Sequence, residues 1–211
     1  MSNVLEGAWL ALWARLGASG DGGAAYEDLG ARYSEAGRTY HTLAHIEACL
    51  GELAGVPGAS LDRDALEFAL WFHDAVYDTH AHDNEERSAA LAAQVAGAAK
   101  LAAPFCEKVT GLIMATKHAV PPAELHAHVM VDVDLAILGK APEEFDKYER
   151  QIRREYDWVP ADVFAEARAK ILASFLARPA IYSTPFFREK YEAQARGNLT
   201  TSIAQLVSAR P

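Results

Sequence analysis

Histidine and aspartate side chains interrupt apolar sequence patterns at several points of this chain. His41 and His45 lie four residues apart in RTYHTLAHIEACL, where apolar periodicity predicts a helix with both imidazoles on one face. In LEFALWFHDAVYD, His73 falls on the core-facing side of a predicted helix, and Asp74 follows it directly. Burying an imidazole beside a carboxylate is costly unless each has a partner, so this pair indicates a shared contact such as a cation.

Two further carboxylates stand in the apolar run VMVDVDLAILG. Asp134 has apolar neighbours three and four residues away on both sides, and the surroundings of Asp132 are only slightly less apolar. Periodicity therefore favours Asp134 as the buried carboxylate by a small margin. A buried carboxylate without a counter-charge would be neutralised or expelled. Either aspartate could instead cap a helix or pair with an arginine elsewhere.

These residues occur in the order His, His-Asp, Asp. About 28 residues separate the first histidine from the His-Asp dipeptide, and about 60 separate that dipeptide from the final aspartate. Two neutral imidazoles and two carboxylates form a ligand set suited to a divalent ion that keeps open positions for water and substrate. The sequence therefore predicts one shared site for a divalent metal ion, which could be Mn²⁺, Fe²⁺, Mg²⁺, Zn²⁺, Co²⁺ or Ni²⁺.

The elements that must position these residues are predicted to be helices. Alanine-rich segments with apolar residues at i, i+3 and i+4 recur along the chain, and alternating β-branched runs are nearly absent. This pattern predicts an all-α fold. Besides the helix of the opening stretch, which stops before GVPGAS, helices are expected at about 4–16, 24–36, 65–77, 86–102, 104–118, 125–139, 161–177 and 185–207. Pro121 and Pro122 are expected to end the helix before them.

The composition limits the class of protein. The chain has 211 residues, of which 51% are hydrophobic, which is enough for the core of a single domain over 1–211. A net charge of −9 argues against binding an extended nucleic acid through a broad basic surface, so a small molecule is the expected partner. We find no apolar run of about 20 residues and no signal peptide, which predicts a cytoplasmic protein without a membrane partner. Cys49 and Cys106 are expected to be reduced.

Longer strings around these residues resemble the HD-domain superfamily of metal-dependent phosphohydrolases. RTYHTLAHI, LWFHDAVYDTHAHDNEERSA, TKH, DVDLAILG, YERQIRREY and EAQARGNL together look like a bacterial group of predicted metal-dependent phosphohydrolases within it. The resemblance spans about residues 30–200. It implies a single HD-type helical bundle, with the metal-site core at about 30–140 and the helices of 141–207 packing on it. It brings no established substrate.

The resemblance also implies a set of ligands. The HD dipeptide corresponds to His73 and Asp74, and DVDL is similar to the final-aspartate motif of the superfamily, which favours Asp134. YHTLAHI looks like the Tyr-His-x-x-x-His string of cyclic-nucleotide phosphodiesterases, which implies that His45 binds the metal and His41 donates a proton to the leaving oxygen. Shorter motifs of the HSxxV type align with His41 instead, so both assignments of this pair stay open.

Four other residues are candidates for a catalytic role. Asp78 and Glu86 could hold a metal-bound water, act as its base or orient a ligand imidazole, or they could be ordinary surface residues. Lys117 and His118 could face a phosphate, or they could only stabilise a helix C-terminus. The remaining histidines are expected on the solvated surface; they are His80, His82, His126 and His128. Three arginines are expected in salt bridges, namely Arg153, Arg154 and Arg196.

The ligand set and the resemblance predict hydrolysis of a phosphoester in a small phosphorylated substrate, of which a nucleotide is one example. The ion would polarise a phosphoryl oxygen and activate a water that attacks phosphorus in line. His41, Lys117 or His118 would neutralise or protonate the leaving group. One alternative is an HD-type di-iron oxygenase, with a second iron on His118 and either His126 or His128. Another is a non-catalytic helical module that binds a nucleotide or partner. A homodimer is a possible assembly.

Overall fold

The computed structural model confirms that the fold is all-α. It describes residues 2–58, 60–118 and 123–208, and every regular element within them is helical. Pro121 and Pro122, which were expected to end a helix, lie outside the described residues. The elements are, in chain order, α1 (Ser2–Arg15), α2 (Gly22–Arg32), α3 (Leu43–Gly55), α4 (Arg63–Phe72), α5 (Asn84–Ala98), α6 (Ala103–Ala115), α7 (Leu125–Asp134), a 3₁₀ helix (Leu135–Gly139), α8 (Pro142–Glu155), α9 (Ala161–Leu176) and α10 (Pro185–Ser208).

The chain divides into two compact units, the first ending at Val131 and the second beginning at Asp132. The division falls within α7, so the last three residues of that helix belong to the second unit. A single domain over 1–211, with a metal-site core at about 30–140, stays a prediction.

The first unit is built around α4, whose residues 68–72 are all buried. The indole ring of Trp9 in α1 packs against the rings of Phe68, Trp71 and Phe72, with ring centroids 5.6–5.9 Å apart. Its Nε1 donates a hydrogen bond of 2.7 Å to the carbonyl of Gly22, which satisfies the polar edge of a fully buried ring. Because neighbours surround α4 so closely, the residues that follow its C-terminus are held in place.

Helix α3 begins after His41, so the prediction that His41 and His45 share one helix is wrong. Thr42 is the N-cap residue: its backbone is extended, with φ −124° and ψ 177°, and its hydroxyl accepts a hydrogen bond from the N–H of Ala44. This local bond starts the helix at Leu43. His41 therefore lies on an irregular segment before α3, whereas His45 lies in its first turns.

Helix α4 ends at Phe72, so the prediction that a helix continues to Tyr77 is wrong. His73 is the C-cap residue, with helical angles of φ −58° and ψ −34°, and its N–H still donates to the carbonyl of Ala69. The last helical hydrogen bond thus fixes the backbone of His73, while the residues after it leave the helix.

The backbone that follows α4 bonds to side chains that are distant in sequence. The carbonyls of Asp74 and Ala75 accept hydrogen bonds from the guanidinium of Arg38, at 2.6 and 3.2 Å. The hydroxyl of Ser88 in α5 binds both the N–H and the carbonyl of Val76. These bonds replace those of a continued helix, which is why the apolar periodicity of this stretch overstates its length.

In the second unit, the 3₁₀ helix packs closely against α10. Gly139 has no side chain at the point of contact, where an added Cβ would overlap the side chain of Tyr191. Two turns further along α10, Asn198 donates from its amide to the carbonyls of Leu138 and Lys140, at 2.8 and 2.9 Å. This amide satisfies two carbonyls at the end of the 3₁₀ helix.

The helices predicted at 161–177 and 185–207 are confirmed within one residue at each end. Helix α8 occupies 142–155, where sequence analysis assigned no element. Cys49 and Cys106 are both free. Within the described ranges, no helix combines the length and the apolar character needed to cross a membrane.

Candidate metal centre

Three of the predicted metal ligands converge in the first unit. Nε2 of His45 lies 3.1 Å from Nε2 of His73, and Oδ2 of Asp74 lies 3.5 Å from the former and 2.9 Å from the latter. His45 and His73 are buried, whereas the Asp74 side chain is 20% exposed. The three ligand atoms therefore form a compact triangle that is buried on the histidine side and reached by solvent at the carboxylate.

The spacing of this triangle fits a single divalent ion. Nitrogen and oxygen ligands lie about 2.0–2.2 Å from ions such as Zn²⁺ and Mg²⁺, so two ligands on one tetrahedral or octahedral ion are roughly 2.9–3.5 Å apart. The three observed separations fall within that range. The donor set, two imidazoles and one carboxylate, also suits Mn²⁺, Fe²⁺ and Co²⁺.

The carbonyl of Leu70 orients the ring of His73. Nδ1 of His73 lies 2.9 Å from this oxygen, and since a carbonyl can only accept, Nδ1 carries the hydrogen. In a neutral imidazole the lone pair is then on Nε2, the atom that faces Asp74 at 2.9 Å. Two acceptors at this distance need a proton or a cation between them. A backbone carbonyl that holds one ring nitrogen while the other binds a metal is the usual arrangement at metal sites.

The Asp74 carboxyl is ionised in this environment. Burial alone would raise its pKa, but in the metal-free protein protonated imidazoles, with His73 first, and the hydrogen bond that protonated His73 donates hold the pKa below its usual range. Asp74 is therefore a carboxylate at neutral pH, which is the form that binds a cation.

The ring of His41 lies beside this triangle rather than in it. It stacks on the ring of Tyr77, with centroids 4.1 Å apart and an interplanar angle of 31°, and its centroid is 6.0 Å from that of His45. The ring of Tyr40 also packs against both imidazoles, with its centroid 5.0 Å from that of His41 and 4.8 Å from that of His45. The positions of His41 and His45 thus differ: His45 contributes a ligand atom to the triangle, and His41 borders it.

Asp78 and Glu86 each bond to other parts of the first unit. Asp78 is 51% exposed, and its carboxylate accepts a hydrogen bond of 2.9 Å from the N–H of His80, which lowers its pKa. Its own N–H and carbonyl bind the amide of Asn84 at the start of α5. Asp78 therefore shapes the loop between α4 and α5, and its catalytic role stays a prediction.

Glu86 and Lys117 form an ion pair between the first turn of α5 and the residues after α6. Hydrogen bonding between the two side chains lowers the pKa of Glu86 and raises that of Lys117. The ammonium of Lys117 also lies 3.3 Å from the carbonyl of His82. His118, next in the chain, is half-buried and has a positive φ of 54°, a conformation in which histidine is tolerated better than most side chains. The structure brings Glu86 and Lys117 together, and the catalytic roles of these residues stay predictions.

The other histidines divide into two groups. His80 and His82 are exposed, as expected from sequence. His126 is half-buried, and its Nε2 accepts a hydrogen bond of 3.0 Å from the N–H of Asp62, the N-cap residue of α4. His126 is therefore less solvated than expected, because this imidazole satisfies a backbone donor beside the helix N-terminus. His128 is half-buried as well.

Two arginines of the second unit donate hydrogen bonds to backbone carbonyls at the ends of helices α8 and α9. Arg153 donates to the carbonyls of Tyr156 and Val159 after α8. Arg196 pairs with Glu192 at 2.8 Å and also donates to the carbonyl of Leu176 at the end of α9. The pair with Glu192 confirms the salt bridge expected of Arg196, whereas the salt bridge expected of Arg153 stays a prediction.

Sequence reasoning missed two residues at this centre. Sγ of Cys49 lies 3.7 Å from both Nδ1 and Nε2 of His45, one turn along α3. Arg38 joins the segment of His41 to that of Asp74. The spacing of Cys49, four residues after His45, was a usable signal. No local pattern marks the contact of Arg38 with Asp74, because Asp74 lies 36 residues away in sequence.

Asp132 and Asp134 occupy different environments within the second unit. Asp132 is fully buried, and its two carboxylate oxygens accept hydrogen bonds of 2.7 Å from the N–H groups of Ser183 and Thr184, just before α10. Asp132 therefore holds the backbone that leads into α10. Asp134 is half-buried at the end of α7, and its role as the fourth ligand stays a prediction.

Replacing Asp132 with alanine is expected to destabilise the protein by about 2–4 kcal/mol, because two buried N–H groups lose a charged acceptor. Asp132→Asn, which keeps one acceptor oxygen, should cost roughly half as much. Urea unfolding measures both values. Metal affinity should stay at the level of the unaltered protein in both variants. A loss of metal without a loss of stability would show instead that Asp132 is a ligand.

Comparisons of this chain with family models, with curated proteins and with solved structures gave no match.

Proposed function

We propose that this protein is a metal-dependent phosphohydrolase that cleaves a phosphoester in a small phosphorylated compound, with nucleotides as one substrate class. The observation that carries the proposal is the triangle of His45, His73 and Asp74, whose ligand atoms lie 2.9–3.5 Å apart. The resemblance of RTYHTLAHI and LWFHDAVYD to HD-domain phosphohydrolases adds the reaction class. As part of this proposal the protein acts in the cytoplasm, a reducing compartment compatible with its two free cysteines.

The residues proposed to hold the ion are His45, His73 and Asp74, with Asp134 as a fourth ligand implied by the resemblance. When bound, a divalent ion supplies Lewis-acid chemistry, which polarises a phosphoryl group and lowers the pKa of water. The chain itself supplies the orientation of the ligands: Leu70 holds the ring of His73, and the ionised Asp74 provides negative charge.

His41 is the proposed proton donor to the leaving oxygen. Its ring borders the ligand triangle and is held against Tyr77, so it can reach a substrate without giving up a metal contact. Lys117 is proposed to neutralise charge on the phosphate. Its ion pair with Glu86 would have to open or shift for that role, since each charge now compensates the other.

The test starts from purified protein. Bound metal is quantified, removed with a chelator and replaced with Mn²⁺, Co²⁺, Mg²⁺, Zn²⁺ or Ni²⁺, and each form is assayed against phosphomonoesters, nucleotides and cyclic nucleotides. The expected result is about one ion per chain and release of phosphate or nucleoside monophosphate that stops when the metal is removed. Absence of turnover on every substrate, with metal bound, would contradict the proposal.

The same experiment separates the two alternative functions. Two irons per chain with oxygen-dependent turnover would indicate a di-iron oxygenase, although Nε2 of His126, one candidate for the second iron, accepts a hydrogen bond from Asp62. Tight nucleotide binding without hydrolysis, unchanged in Asp74→Ala, would indicate a non-catalytic binding module.

A further inference from the structure

Arg38 joins the two chain segments that carry the candidate metal ligands. Its Nη1 donates to the carbonyl of His41 at 3.3 Å and to the carbonyl of Asp74 at 2.6 Å, and its Nη2 donates to the carbonyl of Ala75 at 3.2 Å. The first of these carbonyls lies just before α3, and the other two lie just after α4. A single guanidinium thus bridges the segment before His45 and the segment that contains the HD dipeptide.

The surroundings of Arg38 hold the guanidinium in one orientation. Its side chain is 2% exposed, and its carbon Cζ lies 5.3 Å from the ring centroid of Tyr33 and 5.5 Å from that of Tyr77. Glu35 accepts hydrogen bonds from Nε and Nη2, at 3.1 and 2.9 Å. Cation–π contacts and a charged hydrogen bond of this kind favour arginine over lysine, because only a planar guanidinium can stack and donate in several directions at once.

Tyr77 connects this bridge to the proposed proton donor. Its ring lies near the Arg38 guanidinium and also stacks on the imidazole of His41. Arg38 therefore acts on His41 in two ways, through the backbone carbonyl of His41 and through the ring of Tyr77.

We propose that Arg38 is a positioning residue of the metal centre: it sets the separation between the His41–His45 segment and the HD dipeptide, and so the geometry in which the ligands meet one ion. The inference rests on the metal site of the proposed function. Arg38 contributes no atom to the ligand triangle, and its side chain is 2% exposed. Without its guanidinium, three carbonyls lose a charged donor, and the two segments lose a side chain that bonds to both.

The test uses Co²⁺ as the probe, because its visible absorption reports coordination geometry as well as binding. Arg38→Lys keeps the charge and loses the planar fork, and Arg38→Ala removes both. Arg63 offers a matched control in the same unit, since its guanidinium also donates to two backbone carbonyls, those of Leu53 and Val56, outside the metal centre. Arg63→Lys and Arg63→Ala are therefore made alongside.

We expect both Arg38 variants to bind Co²⁺ about 10–100-fold more weakly than the unaltered protein, which is the range seen when residues that orient metal ligands are removed. The Co²⁺ spectrum should change in shape. Millimolar methylguanidinium should restore part of the affinity of Arg38→Ala, whereas methylammonium should not. The Arg63 variants should unfold at lower temperature, with Co²⁺ affinity and spectrum unchanged.

Two results would overturn the inference. The first is unaltered Co²⁺ affinity and spectrum in folded Arg38 variants, which would leave Arg38 a purely structural residue. The second is failure of Arg38→Lys to fold while Arg63→Lys folds, which would make Arg38 a determinant of the fold. Failure of the proposed function gives a different result: the unaltered protein would bind Co²⁺ and hydrolyse nothing, and the Arg38 effect on Co²⁺ would persist.

Discussion

The Asp74→Ala variant is expected to bind its divalent metal more than about 100-fold more weakly than the unaltered protein and to lose measurable phosphoester hydrolysis. Residues that merely orient a ligand are worth 10–100-fold in metal affinity, and Asp74 is the one anionic member of the ligand triangle. Its oxygen lies 2.9 Å from Nε2 of His73 and 3.5 Å from that of His45. Without the Asp74 carboxylate, the ligands that remain in the triangle are two buried imidazoles, and no negative charge compensates the charge of the ion.

The measurement is a metal titration, by calorimetry or by the Co²⁺ spectrum, followed by the phosphatase assay. Asp74→Asn separates charge from size, since it keeps the shape of the side chain and removes the negative charge. Asp146→Ala, an exposed aspartate in α8, is the matched control and should change neither property. Metal bound with its original affinity by Asp74→Ala would show that the ion is held elsewhere.

The second prediction separates the two histidines of the opening stretch. His45→Ala should lose metal affinity by more than about 100-fold, because it removes a ligand atom 3.1 Å from Nε2 of His73. His41→Ala should bind metal within about threefold of the original affinity and lower kcat by roughly 10²–10⁴-fold, the usual contribution of a proton donor. The difference follows from position: the ring of His41 stacks on Tyr77 beside the triangle.

A pH profile of kcat gives an independent check of this assignment. Because His41→Ala lacks the proton donor, its kcat should no longer decline at alkaline pH. The decline of kcat at acidic pH should remain. His82→Ala, on an exposed imidazole, controls for the loss of a histidine and should leave both metal and rate unchanged. If His41→Ala strips the metal and His45→Ala keeps it, the two roles are reversed.

Sequence alone was sufficient for the fold class and for most helices. The helices at 161–177 and 185–207 were predicted within a residue at each end, because apolar periodicity and bordering prolines are local signals. The capping threonine before α3 is also a local signal, but an apolar pattern that ran through it led to a helix that starts too early.

The end of α4 could not be predicted in this way. Periodicity continues past His73, yet the chain leaves the helix because Arg38 and Ser88 bind the backbone of residues 74–76. Those donors and acceptors lie 12 to 37 residues away in sequence. A window of local sequence contains no information about them.

The amino-acid sequence by itself indicated that the protein is all-α and that His73, Asp74 and one of His41 and His45 are candidate ligands, since residue type and order are enough for both inferences. Only the tertiary structure decided how two nearly equivalent aspartates differ. Asp132 and Asp134 share one apolar run, but the N–H groups of Ser183 and Thr184 bind Asp132. These partners are more than 50 residues away, and only the packing of the second unit places them beside Asp132.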